Sequence, residues 1–177
     1  MKNATYRHVL AIATIAACNW PAVCPSAVAS APATSCESSA AYRALNFSIG
    51  TWSVSVVGFS GKATSEIRHE IRGCAVVEQW RGGSDVGMNV DAFNAEDNHW
   101  HRFFVDSQGK VHTFEGIVRG NALEYRGTSQ EPDGKVYLNR LELRSDGPAK
   151  MTERWQKSRD GNRWSTAFEG IYTRVGP

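Results

Sequence analysis

Phe47-Ser48-Ile49-Gly50-Thr51-Trp52 is the stretch on which the fold of this 177-residue chain turns. It stands at the head of a long run of short segments with strand-like patterning. Glycine two residues before tryptophan is a common opening for small β-barrels. The glycine lets the backbone bend where the barrel closes, and the indole plugs the floor.

Downstream of this opening the chain reads as β throughout. Strands are expected at 46–57, 62–72, 75–81, 87–93, 99–106, 111–119, 122–128, 136–145, 149–158 and 163–174. Short turn signals separate them, among them Gly82-Gly83, Gln108-Gly109, Gly120-Asn121, Asp133-Gly134, Asp146-Gly147 and Asp160-Gly161. No segment holds a helical period, although 37–45 suits a short helical lead-in. Ten strands with short links predict an all-β, up-and-down antiparallel barrel of about ten strands, because closure removes exposed strand edges.

Upstream, Lys2, Arg7 and His8 precede the apolar run 9–17, and Ala27-Val28-Ala29 is a small-x-small cleavage site. Residues 1–29 therefore read as a signal peptide, 30–45 as an N-terminal linker and 46–175 as the barrel. The apolar run is too short to span a bilayer. Ile15-Ala16-Ala17-Cys18 also resembles a lipobox, in which case Cys18 would carry a lipid anchor. Either route exports the domain, to the periplasm or beyond, or to a membrane-anchored position.

Cleavage after Ala29 removes Lys2 and Arg7 and no acid, so the formal charge falls from +2 to zero. A neutral domain lacks the basic footprint of a nucleic-acid partner. Cleavage also leaves two cysteines, Cys36 and Cys74, for which an oxidising compartment makes one structural disulfide the default.

Alternation assigns faces. In 62–72, Ala63, Ser65, Ile67, His69 and Ile71 share the inner side, with Glu66, Arg68, Glu70 and Arg72 outside. His69 is then a histidine among apolar neighbours, either hydrogen-bonded core or a ligand contact. A two-residue turn at Gln108-Gly109 would set Val105 opposite His112 and Arg102 opposite Glu115, an exposed ion pair. On that register His99, His101, Phe103, Val105, His112 and Phe114 line the interior. His99-x-His101 could offer two imidazoles to a metal, but His112 lies roughly 13 Å further along the strand, so no metal is expected.

In Glu78-Gln79-Trp80 and Glu153-Arg154-Trp155 each carboxylate shares a face with its indole. Two readings stand side by side. Either these four residues help to form a cavity that stacks a ligand and fixes a polar group, or the indoles fill a core while the carboxylates pair with arginines such as Arg140. Catalytic signatures are lacking: there is no Gly-x-Ser-x-Gly elbow, glycine-rich phosphate loop or His-Glu-x-x-His pair.

Four motifs together carry a family resemblance: Phe47-x-x-Gly50-Thr51-Trp52, Gly73-Cys74-Ala75-Val76-Val77-Glu78-x-Trp80, Trp100-x-x-Phe103-Phe104-Val105-Asp106-Ser107-x-Gly109, and Asp160-Gly161-x-x-Trp164-x-x-x-Phe168-x-Gly170-x-Tyr172-x-Arg174. Over residues 36 to 175 the chain resembles an exported bacterial family of unknown function with a lipocalin-like barrel, akin to nitrobindin and fatty-acid-binding barrels. The resemblance implies a cavity for a small, mostly apolar molecule. Nitrobindins hold haem through a histidine near the start of the last strand. Matching on Arg174 puts Ala167 there, so no cofactor, haem included, is expected.

The sequence thus predicts an exported, monomeric or dimeric barrel that binds a small hydrophobic or amphipathic ligand. Trp52 would be the floor plug, Trp80 and Trp155 stacking surfaces, and His69, His101, Glu78, Glu153 and Arg140 polar contacts. The alternatives are a small-barrel isomerase or cyclase using a buried carboxylate and a histidine, and a structural envelope protein with a filled barrel.

Overall fold

The computed structural model describes residues 36–176. The signal-peptide, lipobox and cleavage-site readings all fall outside the described residues. Ten antiparallel strands follow one another around a closed barrel: β1 (Gly50–Val56), β2 (Ala63–Glu70), β3 (Ala75–Gly82), β4 (Asp85–Asn94), β5 (His99–Asp106), β6 (Val111–Arg119), β7 (Ala122–Gln130), β8 (Val136–Ser145), β9 (Lys150–Ser158) and β10 (Ser165–Arg174). Every strand pairs with its sequence neighbours, and β1 pairs with β10 to close the ring. No strand edge is left open for another chain to extend.

The lead-in is helical, as expected, but it runs further. There are two 3-10 segments, Cys36–Ser38 and Tyr42–Ser48, and the second takes up residues 46–48 of the strand expected at 46–57. Leu45 is fully buried, and Ala44, Phe47 and Ile49 pack on the core, so this segment stoppers one end of the barrel. Cys36 bonds to Cys74, with Cα atoms 5.0 Å apart, and ties the stopper to the β2–β3 connection. β2 ends at Glu70, short of the expected 72, because Ile71 and Arg72 adopt positive φ in a 3-10 turn.

Gly50 and Trp52 act together at this end. The indole is completely buried and its Nε1 donates to the Ser48 carbonyl at 2.7 Å. Arg174, the last residue of β10, lays its guanidinium 4.2 Å over the same ring and donates to the carbonyls of Phe47, Ile49 and Pro148. Gly50 has φ 139°, and a Cβ there would run into the Arg174 guanidinium. Only glycine satisfies both the backbone and the close approach. The floor is thus a tryptophan clamped between the first and last strands.

The β5–β6 connection overturns part of the predicted register. The turn is longer by one residue: Gly109, at φ 76°, donates to the Asp106 carbonyl, and Asp106 pairs with Lys110. Oδ1 of Asp106 accepts from the amides of Gln108 and Lys110, both at 2.9 Å. Phe104, not Val105, therefore faces His112, and Arg102 faces Phe114 rather than Glu115. With a side-chain period of two, that single residue turns β5 inside out. His112 and Phe114 on β6 point inward as predicted, whereas His99, His101 and Phe103 lie outside and Trp100, Arg102 and Phe104 inside.

Candidate functional site

β3 and β9 deliver the two Glu-x-Trp pairs to one space. Their alternation aims Glu78, Trp80, Glu153 and Trp155 inward, and all four line a cavity of about 350 Å³ at the end opposite the Trp52 plug. Its upper wall reaches the β3–β4 and β5–β6 turns through Asp85, Asp106, Ser107 and Gln108. The side walls are aromatic. Trp80 meets Phe168 edge to face at 6.2 Å, and Trp155 meets Phe104 at 6.3 Å and Phe114 at 5.7 Å. Trp155 is anchored, its Nε1 donating to Asn139 Oδ1 at 2.9 Å. The Trp80 Nε1 is shielded from solvent and has no hydrogen-bond partner among the described residues.

The floor of the cavity is polar. Glu78 is 3% exposed and accepts from three neutral donors: Ser65 Oγ at 2.6 Å, Asn89 Nδ2 at 2.7 Å and the Tyr172 hydroxyl at 3.3 Å. Tyr172 in turn meets Trp52 edge to face, linking floor to plug. Arg102 lies alongside, 3% exposed, its Nε donating to Asp91 Oδ1 at 2.8 Å and its Nη1 standing 3.2 Å from Glu153 Oε1. The Tyr125 hydroxyl also donates to Asp91 Oδ1, at 2.6 Å, and the Tyr125 ring lies 5.2 Å from the Arg102 guanidinium.

Burial works against every charge in this cluster. It would pull Arg102 down, but the Asp91 and Glu153 carboxylates outweigh it and hold the guanidinium well above its usual range. Burial pushes the Tyr125 and Tyr172 hydroxyls well up, helped chiefly by Asp91 and Glu78 respectively, so both stay neutral donors. Glu153 is raised to about 7: burial dominates, Arg102 opposes it, and Glu78 and Asp91 add to it.

A pH dependence of stability follows from Glu153. The folded protein keeps this proton up to about pH 7, whereas the unfolded chain releases it near 4.5. Below 4.5 both states hold it; between 4.5 and 7 only the folded state does, so stability falls as pH rises through that window. The full effect is up to about 3 kcal/mol. Urea unfolding of wild type and Glu153→Gln at pH 5 and pH 8 checks this. The wild type should lose stability relative to the variant at the higher pH, and parallel curves would refute the assignment.

The other residues singled out by the sequence lie elsewhere. Trp52 is the plug and does not line the cavity. His69 sits half-buried at the plugged end of β2, its Nδ1 shielded and without a partner among the described residues. His101 is on the outer face because of the β5 register, with its Nε2 2.8 Å from Asp97 Oδ2. Arg140 also faces outward, bonded to Gln156 and stacked 4.2 Å from the Trp164 ring. The arginine that meets the buried carboxylates is Arg102, which the shorter turn had placed outside.

Sequence reasoning missed Asn89, Phe104, Phe168 and Tyr172 in the cavity, and Asp91 beneath it. One signal was present: Asp106 followed by Gly109 is the i, i+3 pattern of a type I turn, which lengthens the hairpin loop and turns Phe104 inward.

With this geometry in view, the chain matches no protein-family model, and no curated protein matches it significantly. Ala167, an unpaired extra residue in β10 between Thr166 and Phe168, lines it and offers no ligand atom. No histidine is among the lining residues. The residues present do not fit a haem ligated from that position.

Proposed function

We propose that this protein is an exported binder of a small hydrophobic or amphipathic molecule, held in the mouth-side cavity of the barrel. The observation that carries the reading is the cavity itself: about 350 Å³, walled by Trp80, Phe104, Phe114, Trp155 and Phe168 over a hydrogen-bonded polar floor. That volume and mix of surfaces belong to small-molecule sites, which fix an apolar body with a few placed polar groups. A filled structural barrel would leave no such space. The Cys36–Cys74 bond suits an oxidising compartment, and no helix among the described residues is long and apolar enough to cross a membrane.

A second reading is acid–base catalysis of the isomerase or cyclase type. One observation favours it, a cavity carboxyl that titrates near neutrality, Glu153. Among the described residues no histidine lines the cavity to partner it: His112 contacts the Trp155 ring at 4.6 Å and is not among the lining residues. Burial also lowers its pKa, with Lys157 adding to the effect.

Titration with the neutral fluorophore N-phenyl-1-naphthylamine tests the binding reading. It should bind saturably at one site and quench tryptophan emission. Trp80→Ala should weaken it about fivefold to tenfold, the worth of one aromatic contact. A wild-type protein that shows no saturable binding would sink the proposal, and an unaltered Trp80→Ala titration would remove Trp80 from the site.

A further inference from the structure

The charge on the cavity is one-sided. Among the described residues four acids line it, Glu78, Asp85, Asp106 and Glu153, and no lysine, arginine or histidine does. Arg102 sits behind the floor, and its short contact is to Asp91. Glu78 is bound by neutral donors alone. Glu153 is more than nine-tenths buried, and Arg102 Nη1, beside Oε1, is the one cation among the described residues in ion-pair range of it. Its other oxygen, Oε2, accepts no hydrogen bond from the described residues. At the mouth, Lys157 rests 5.0 Å from the Trp155 ring, but its Nζ is engaged by Glu131 at 2.7 Å. With its carboxylates ionised, the cavity holds more negative charge than the described residues neutralise.

We propose that the cavity selects an organic cation, an ammonium head on an apolar body. The proposal rests on the binding reading above and names the class of ligand. The head sits between Glu78 and Glu153, donating to the open Oε2. The body lies between Trp80, Phe104, Trp155 and Phe168, whose ring faces attract positive charge as well as apolar surface. An anionic head would meet carboxylates in a poorly solvated space, where like charges repel strongly. A neutral head would leave the excess charge uncompensated. Asp85 and Asp106 at the rim give the entrance the same sign as the floor, so an arriving cation is attracted along its whole path.

Competition against bound N-phenyl-1-naphthylamine at pH 8 tests this, using decylammonium, decanol and decanoate below their aggregation concentrations. Decylammonium should compete at least about tenfold better than decanol, with decanoate weakest. Glu153→Gln should cost the amine roughly tenfold while moving decanol less than about threefold. Lowering the pH from 8 to 6 should weaken the amine alone. The charged and titratable groups that face Glu153 are Arg102, Asp91, Glu78, Tyr125 and Tyr172; β8 presents Leu141 and Leu143 there. Probe binding with decanol or decanoate as tight as the amine overturns the cation preference alone. Absence of saturable probe binding overturns the cavity reading, and this proposal with it.

Discussion

Arg102→Met should destabilise the protein by about 3–5 kcal/mol, the cost of leaving a buried ion cluster without its counter-ion. The guanidinium touches Asp91 and Glu153 and lies on the Tyr125 ring, with Glu78 close by across the floor. Methionine matches much of the aliphatic stem, so the loss is electrostatic rather than a cavity. Urea denaturation at pH 7 measures it. Two signatures separate this account from simple misfolding. The deficit should shrink towards pH 5 as the stranded carboxyls take up protons, and the triple variant Arg102→Met/Asp91→Asn/Glu153→Gln should recover most of it, because replacing a whole buried ion cluster costs far less than breaking it. A loss below 1 kcal/mol, or a pH-independent one, would show that the cluster is not the charge balance described.

The Cys36→Ser/Cys74→Ser variant is expected to lose about 4 kcal/mol. The two cysteines are 38 residues apart, and the loop-closure model assigns a crosslink of that span roughly this value. For a domain of this size the melting temperature should fall by about 10 °C. The bond matters beyond loop entropy because it holds the 3-10 lead-in, with Leu45, against the Trp52 end of the core. Thermal unfolding under oxidising conditions, with reduced wild type alongside, measures the effect. Reduced wild type and the double variant should melt together, and a shift of less than about 2 °C would mean that the stopper is held by packing alone.

The barrel was legible in the sequence because each signal for it is local. Paired turn residues punctuate strands of regular length, and Glu78-x-Trp80 and Glu153-x-Trp155 reach the cavity by alternation alone. The β5 face was not legible in the same way. Whether His101 or Arg102 points inward depends on one residue of loop length at Asp106–Lys110, which strand composition does not reveal, since β5 is mixed on both faces. The partner of Glu153 was harder still. The sequence pointed to Arg140 and set Arg102 outside against Glu115, and the choice is made by register across several strands. The strand and turn pattern named the architecture but could not supply that register.

An even number of strands has a topological consequence. The chain enters the described fold at Cys36 and leaves it after Arg174, and Arg174 reaches the carbonyls of Phe47 and Ile49. Both ends therefore emerge beside the plug, on the far side from Asp85 and Asp106. The barrel itself is polar, with both ends of the described fold at the plugged end and the cavity at the other. A tag joined to the C-terminal end starts beside the plug, where the Val175 amide donates to the Thr51 carbonyl, at the end of the barrel opposite Asp85 and Asp106.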